Sequence, residues 1–331
     1  MAKTIVVTGA TGAQGGGVAN VLLETPGWKV RAVTRNANSE KARDLAERGA
    51  EVVQANFDDV ESLKEAFKDA HAVFAVTNFW EHLLAGNSQN DSGRLEEEQA
   101  IKLAQAAAET TSLEHYIWST MPSAEKLSNG QATCPHLDYK AHVDERIKKD
   151  FPALAQKTTF LFLGYYPVNM AFNPLLKPFE LPGSYGKYVW VLPTPRDAII
   201  SVAGDMAVTP GIWVRQILAN PAKTKGRYAM VATEFLSFGE ILRIWSEVTG
   251  RPSVYLEVGG KEYEEIWGVL GKELLDQLKF GELNPHWIDS YDALSAEELG
   301  ITLDGAFGCR AAFESLKQIS SMSLPSRDDV P

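Results

Sequence analysis

Gly9, Gly12 and Gly15 stand three residues apart, directly after the apolar run Thr4-Ile5-Val6-Val7-Thr8 and before a helical pattern of Val18, Val21 and Leu22. A strand that turns through glycines into a helix can bend tightly, bring its backbone close to a pyrophosphate and pack helix against strand. Free N–H groups at the helix start then receive the phosphate oxygens. Thr11, Ala13 and Gln14 lie between the glycines and belong to the same candidate cradle. An ordinary turn is the competing reading, and the strand before and helix after favour a nucleotide. No Gly-Lys-Ser or Gly-Lys-Thr follows, which argues against a P-loop.

The next apolar run, Lys29–Thr34, ends in Arg35-Asn36, with Lys41 and Arg43 soon after and no acid before Glu40. An acid at this strand end binds a ribose 2′-OH, whereas an arginine suits a 2′-phosphate. Arginine also offers a planar pair of donors to phosphate oxygens. The expected cofactor is therefore NADP(H), against the alternative of a solvated charged loop.

These groups need a scaffold. Strands are expected at Thr4–Thr8, Val30–Thr34, Glu51–Ala55, Ala72–Val76, Tyr116–Ser119 and Thr159–Leu163. Helices are expected between them at Gly15–Glu24, Ser39–Glu47, Val60–Phe67, Arg94–Glu109 and Pro135–Lys149. This alternation predicts an α/β fold, a Rossmann-type doubly wound parallel sheet. Past Leu163 the alternation fades. A Gly-bearing hairpin or extended loop is expected over Gly183–Val191, then helices at Asp205–Leu218, Ser237–Val248, Gly260–Gly268, Lys272–Phe280 and Cys309–Ile319, with strands near Arg227–Val231 and Val254–Glu257. The expected organisation is a nucleotide-binding domain over 1–163, with room for later strands to join its sheet. A smaller mixed domain on the substrate or partner side covers 164–322, and a loose tail 323–331.

The chain has 331 residues, enough for about two domains at ~150 residues each. With 32 basic and 43 acidic residues its formal net charge is −11, the wrong sign for direct nucleic-acid binding. Two cysteines and six scattered histidines support neither a disulfide framework nor a metal site. The apolar run after Met-Ala-Lys is too short for a signal peptide, and Thr158–Leu176 is too interrupted for a membrane span. A cytoplasmic protein is expected, and a nuclear location is compatible.

Five segments in order carry a family resemblance: Thr8–Gly16, Val30–Asn36, Gly49–Gln54, Val76-Thr-Asn-Phe-Trp-Glu81 and Pro135-His-Leu-Asp-Tyr-Lys140. The chain resembles the NmrA-like family of atypical short-chain dehydrogenase/reductases, well over Lys3–Asn169 and more loosely to Ile319. The resemblance implies an NADP-preferring Rossmann fold with a small C-terminal domain. It places Gly9, Thr11, Gly12, Gln14 and Gly15 at the pyrophosphate, and Arg35 at the 2′-phosphate with Asn36 and Lys41 as helpers. Asp58 falls near the adenine. Val76, Thr77 and Asn78 fall beside the nicotinamide ribose. Tyr165, Tyr166 and Asn169 line the nicotinamide and substrate cleft, with Phe79, Trp80 and Thr120 as further substrate-side candidates.

Short-chain dehydrogenases commonly place a Tyr four residues before a Lys that holds the ribose. Here Lys140 is preceded at that spacing by His136. A helix starting at Pro135 puts both on one face, and His transfers protons near neutral pH. Lys140 is expected to hold the ribose. His136 is a candidate proton donor, a pocket wall, or a helix-start residue without a role. Tyr139 is a weaker candidate on another face, and Ser119 offers a hydroxyl at the end of its strand. His142 and Asp144 are expected on a solvated side, Arg94–Glu98 as a solvated helix start, and Glu81–Gly93 as a lid. The aromatic residues of the second half suit either a bulky-ligand pocket or plain core.

Two functions remain open at this point. One is an NADPH-dependent reductase, or an enzyme using bound NADP(H) in a redox-neutral step, on a bulky apolar small molecule. The other is a catalytically silent NADP+/NADPH redox sensor that regulates a protein partner or transcription.

Overall fold

The computed structural model describes residues 2–322. The expected tail 323–331 lies outside the described residues. In chain order the first unit opens β1 (Lys3–Val7), α1 (Ala13–Leu23), β2 (Trp28–Thr34), α2 (Glu40–Glu47), β3 (Glu51–Gln54), α3 (Val60–Phe67), β4 (Ala72–Ala75), α4 (Phe79–Leu84) and α5 (Gln89–Glu109). It continues through β5 (His115–Thr120), α6 (Ala124–Leu127), α7 (Pro135–Asp150), α8 (Pro152–Ala155) and β6 (Thr158–Leu163). After α9 (Asn169–Phe172), β7 (Phe179–Glu180), β8 (Tyr188–Leu192) and β9 (Ile199–Val202), the chain forms α10 (Thr209–Ala219), α11 (Pro221–Thr224) and β10 (Tyr228–Val231). The remainder is β11 (Glu234–Ser237), α12 (Phe238–Thr249), β12 (Ser253–Glu257), α13 (Gly260–Leu283), a 3-10 turn at Trp287–Tyr291, and α14 (Cys309–Met322).

The first unit takes the described residues up to Leu163, then Met206–Val231 and Asp276–Thr302. Its seven strands run in the order β10-β6-β5-β4-β1-β2-β3, and every pairing is parallel. This is the doubly wound arrangement expected from the alternation, and its order reverses between β1 and β4. The central strands are continuous apolar runs because both sheet faces are covered: Ile5, Val6, Val7 and all of β4 are fully buried. Leu63 and Phe67 of α3, Leu103 of α5, and Val143 and Ile147 of α7 form the core on one face with Val73, Trp118 and Phe160.

Polar residues begin most of these helices. Ser39 accepts from Ala42 N, Asp59 from Glu61 N and Ser62 N, and Ser88 from Asp91 N. The Ser88 cap starts α5 five residues before the expected Arg94, so most of the expected lid Glu81–Gly93 lies in α4 and α5. The expected second segment 164–322 is divided. Met206–Val231 returns to the first unit, where β10 pairs with β6 through Tyr228↔Phe160 to Val231↔Leu163.

The second unit comprises Gly164–Asp205, Ala232–Leu275 and the described residues from Leu303. Phe179–Glu180 and β8 make the expected hairpin, β12 lies parallel to β8, and β9 pairs antiparallel with β11. A Ser237/Glu240 capping box starts α12. The two helices expected over Gly260–Phe280 are one element broken at Gly268. Trp190, Trp245 and Tyr263 are buried core residues of this unit, as Trp213 is of the first. Among the described residues no helix is long and apolar enough to cross a membrane.

Candidate functional site

The site is built at the carboxyl ends of β1, β2, β4 and β5, beside the reversal of strand order. That is where ligands bind open parallel sheets. β1 ends in Thr8, whose hydroxyl accepts from Val76 N at 2.9 Å and donates to Val76 O at 3.2 Å, locking the β1 and β4 ends together. Gly9 has φ +60°, and Gly12 N bonds back to Gly9 O at 2.8 Å, closing the turn. A β-carbon on Gly15 would lie 2.5 Å from Thr8 O, so only glycine lets α1 start this close to the strand.

The start of α1 is open. Gly12 is its N-cap, no side chain bonds to that cap, and its first turn carries no acid. Gly12 and Ala13 are exposed. The positive end of the helix dipole therefore lies at an exposed turn, as an anion requires. Lys41 Nζ reaches across to Thr11 O at 3.3 Å and adds a positive charge beside this turn.

A pocket of about 430 Å³ opens beside the turn's neighbouring strands, lined by Arg35, Gln54, Ala55, Asn56 and Ser62. Arg35 follows β2 and the other residues follow or end β3. Asn36 serves the backbone, accepting from Asn38 N at 3.0 Å. Asp58 accepts from Gln99 Nε2 at 3.2 Å, near the start of α3.

A buried ion pair lies at the β4 end. Lys140 Nζ donates to Thr77 Oγ1 at 2.9 Å and pairs with Glu96 Oε1 at 2.9 Å, while Thr77 Oγ1 donates to the same Glu96 oxygen at 2.8 Å. The ammonium also lies over the Trp118 ring, 4.9 Å from its centroid. Glu96 is 1 % exposed, which corrects the expected solvated helix start at Arg94–Glu98: one face of that run is core. Asn78 caps α4 by accepting from Trp80 N, so the strand end passes straight into Phe79 and Trp80.

The helix α7 sets His136, Lys140 and Asp144 four residues apart on one stripe. His136 is buried. Its ring lies 5.7 Å from Phe79 and 5.3 Å from Trp80 between centroids, and its Nδ1 is 3.2 Å from Cys134 Sγ. Tyr139 packs over Gly93 of α5, on a different face from Lys140. Asp144 is not solvated as expected: it is 2 % exposed and accepts from Trp118 Nε1, Thr120 Oγ1 and Tyr228 OH at 3.0, 2.7 and 3.0 Å. Burial raises its pKa to about 7. Thr120, expected on the substrate side, is instead fully buried with its hydroxyl spent on Asp144. Ser119 points the other way, donating to Gln14 Oε1 of the glycine turn at 2.7 Å.

The structure thus brings together the glycine turn, Lys41, Val76, Thr77, Asn78, Ser119 and Lys140, with Phe79, Trp80 and His136 adjacent to one another. Tyr165, Tyr166 and Asn169 belong to the second unit. There Tyr165 N donates to Ser201 O at 2.7 Å, and Asn169 N to Tyr166 O at 2.9 Å. Burial raises the Tyr165 phenol's pKa well above its ordinary value. Sequence reasoning missed Glu96, and its only signal was its place in α5, three and seven residues from Gly93 and Leu103.

The sequence model of the NmrA-like family matches residues 1–302. An NmrA-like family domain-containing protein of Dictyostelium discoideum is 31 % identical over 267 residues, 80 % of this chain and 83 % of that protein. An NmrA-like family domain-containing oxidoreductase of Aspergillus hancockii is 28 % identical over 291 residues, 84 % of this chain and 82 % of its own. Among solved structures, NmrA, a negative transcriptional regulator in complex with NADP, superposes with a TM-score of 0.74 at 22 % identity, covering 98 % of each chain. The glycine turn, the Thr77-Asn78-Phe79-Trp80-Glu81 strand end and the Lys140 helix thus sit in a chain that belongs to the NmrA-like family.

Proposed function

We propose that this chain binds NADP(H) across the β1–β4 switch point and is an NADPH-dependent reductase of a bulky, largely apolar organic molecule. The observation that carries this reading is Lys140, whose ammonium is held at the β4 end by Thr77 and Glu96. The residues fit the cofactor. The open α1 start and the glycine turn suit a pyrophosphate, and the pocket walled by Arg35 and Ser62 suits a phosphorylated adenosine ribose. The similarity to an oxidoreductase of Aspergillus hancockii supports the same reading.

When bound, NADPH supplies a hydride from its nicotinamide ring. Lys140 has three donor hydrogens, and Thr77 and Glu96 take two of them. The third would serve a ribose hydroxyl of the bound nucleotide. Ser119 holds Gln14, and so the turn, in place. Phe79 and Trp80 give an apolar wall beside His136, whose ring supplies a proton directly or through water.

One observation favours the second reading, a silent NADP+/NADPH sensor acting on a protein partner. No tyrosine stands four residues before Lys140, and His136 there is buried against Cys134, Phe79 and Trp80. NADPH oxidation over a panel of carbonyl, imine and conjugated-enone compounds separates the two. Turnover that disappears in Lys140→Ala supports the reductase, and His136→Ala then assigns or removes the proton donor. Tight NADPH binding with no oxidation and no altered product on any compound sinks the reductase reading. Unequal affinities for NADP+ and NADPH would then favour the sensor.

A further inference from the structure

Arg35 follows β2, and Glu81 lies in the first turn of α4, at the end of β4. Arg35 Nη1 is 2.6 Å from Glu81 Oε1, and the two side chains are 68 % and 31 % exposed. Arg35 also walls the pocket formed with Gln54, Ala55, Asn56 and Ser62. In a dinucleotide site an acid near the β2 end accepts the ribose 2′-OH, and an arginine there meets a 2′-phosphate. This chain offers both at one place, the arginine directly after β2 and the acid from the first turn of α4. Resting on the reading that this pocket takes the adenosine ribose, we propose that Glu81 is the specificity-determining residue between the phosphorylated and unphosphorylated dinucleotides, NADP(H) and NAD(H).

The argument is electrostatic. A 2′-phosphate carries about −1.5 to −2 charges. To pair with Arg35 it must take the guanidinium from Glu81 and tolerate the carboxylate beside it. A 2′-hydroxyl does neither, and it can donate to Glu81 while the ion pair stays closed. Glu81 therefore opposes the phosphate and leaves the hydroxyl form unhindered. Lys41, at Thr11 O, adds a positive charge at the neighbouring turn. The ion pair between Arg35 and Glu81 sets how far that positive surface favours the phosphate.

The test is equilibrium binding of NADPH and NADH to the full chain, read by nicotinamide fluorescence, for the native protein, Glu81→Gln and Arg35→Ala. Glu81→Gln is expected to tighten NADPH by about three- to fivefold, the scale of an exposed ion pair. NADH binding stays unchanged or weakens. The gain shrinks at high salt, since Arg35 is exposed and Glu81 partly so. NADPH affinity that is unchanged or weaker in Glu81→Gln, or equal tightening of both nucleotides, overturns the inference. Arg35→Ala separates the two levels of the argument. It should weaken NADPH and spare NADH. If it leaves their ratio unchanged, the placement of the 2′-phosphate at Arg35 fails, and the role of Glu81 with it. Both side chains lie at the surface, and unchanged near-UV circular dichroism of the variants confirms that the comparison is between folded proteins.

Discussion

The Lys140 ammonium and the Glu96 carboxylate stand 2.9 Å apart inside the first unit, and the same Glu96 oxygen takes the Thr77 hydroxyl at 2.8 Å. Their side chains are 11 % and 1 % exposed, and Glu96 Oε2 is buried without a hydrogen-bond partner. A buried ion pair gains little net stability over an apolar pair of the same shape, but losing one member strands the other. Here the pair holds an ammonium at the end of β4.

Glu96→Ala is accordingly expected to cost about 3–5 kcal/mol, the usual penalty for stranding a buried charge. Guanidinium unfolding measures it. Adding Lys140→Met to Glu96→Ala should restore part of the loss, because no uncompensated charge then remains. Two single losses that simply add would show that the pair is not coupled.

Asp144 contributes a pH dependence of definite sign to stability. Burial raises its pKa to about 7 against the opposing donors Thr120, Tyr228 and Trp118 and the positive charge of Lys148. In the unfolded chain the value is about 3.9. Between about pH 4 and about pH 7 the folded protein keeps a proton that the unfolded chain has released. The Asp144 contribution to stability therefore falls as pH rises through this window, by up to about 1.4 kcal/mol per pH unit, and is flat above it; buried His115, whose pKa burial lowers to about 3, contributes with the opposite sign. Asp144→Asn should remove this contribution and leave a slope more positive than that of the native protein. Denaturation midpoints measured across that range for both proteins decide it, and identical slopes count against a raised Asp144.

Gly15→Ala is expected to abolish NADP(H) binding in a protein that is also less stable. Its β-carbon would lie 2.5 Å from Thr8 O and would force α1 away from β1. At Gly16 the nearest atom, Ala10 O, would be 3.4 Å away, so Gly16→Ala should bind nearly as the native protein does. Fluorescence titration with NADPH beside thermal melts distinguishes the two. Equal binding by both variants would mean that the close approach at Gly15 is not what forms the cradle.

Ser119 donates to Gln14 rather than standing free for a substrate. Ser119→Ala should therefore weaken NADPH by about three- to tenfold, the scale of one hydrogen bond. If the reductase reading holds, kcat at saturating cofactor should change little. A large drop in kcat with unchanged NADPH affinity would return Ser119 to the reacting atoms.

The parts of this protein legible in its sequence are local. Glycines at three-residue spacing between Val7 and Val18 mark the turn because only such a turn demands them, and the apolar runs at β1, β2 and β4–β6 mark strands covered on both faces. Lys140 and His136 were placed on one helix face by spacing alone. What the sequence could not show was which charges are buried. Glu96 sits in a run, Arg94–Glu98, that reads as solvated, and Asp144 sits among Glu145, Arg146 and Lys148, which reads the same way. Each is buried because the parallel sheet brings it partners from other elements: Thr77 and Lys140 to Glu96, and Trp118, Thr120 and Tyr228 to Asp144. The meeting of Arg35 with Glu81 has the same origin. Turn chemistry and periodicity act between near neighbours and are written along the chain. Burial of a charge costs too much without a partner, and that partner exists only once distant strand ends are side by side.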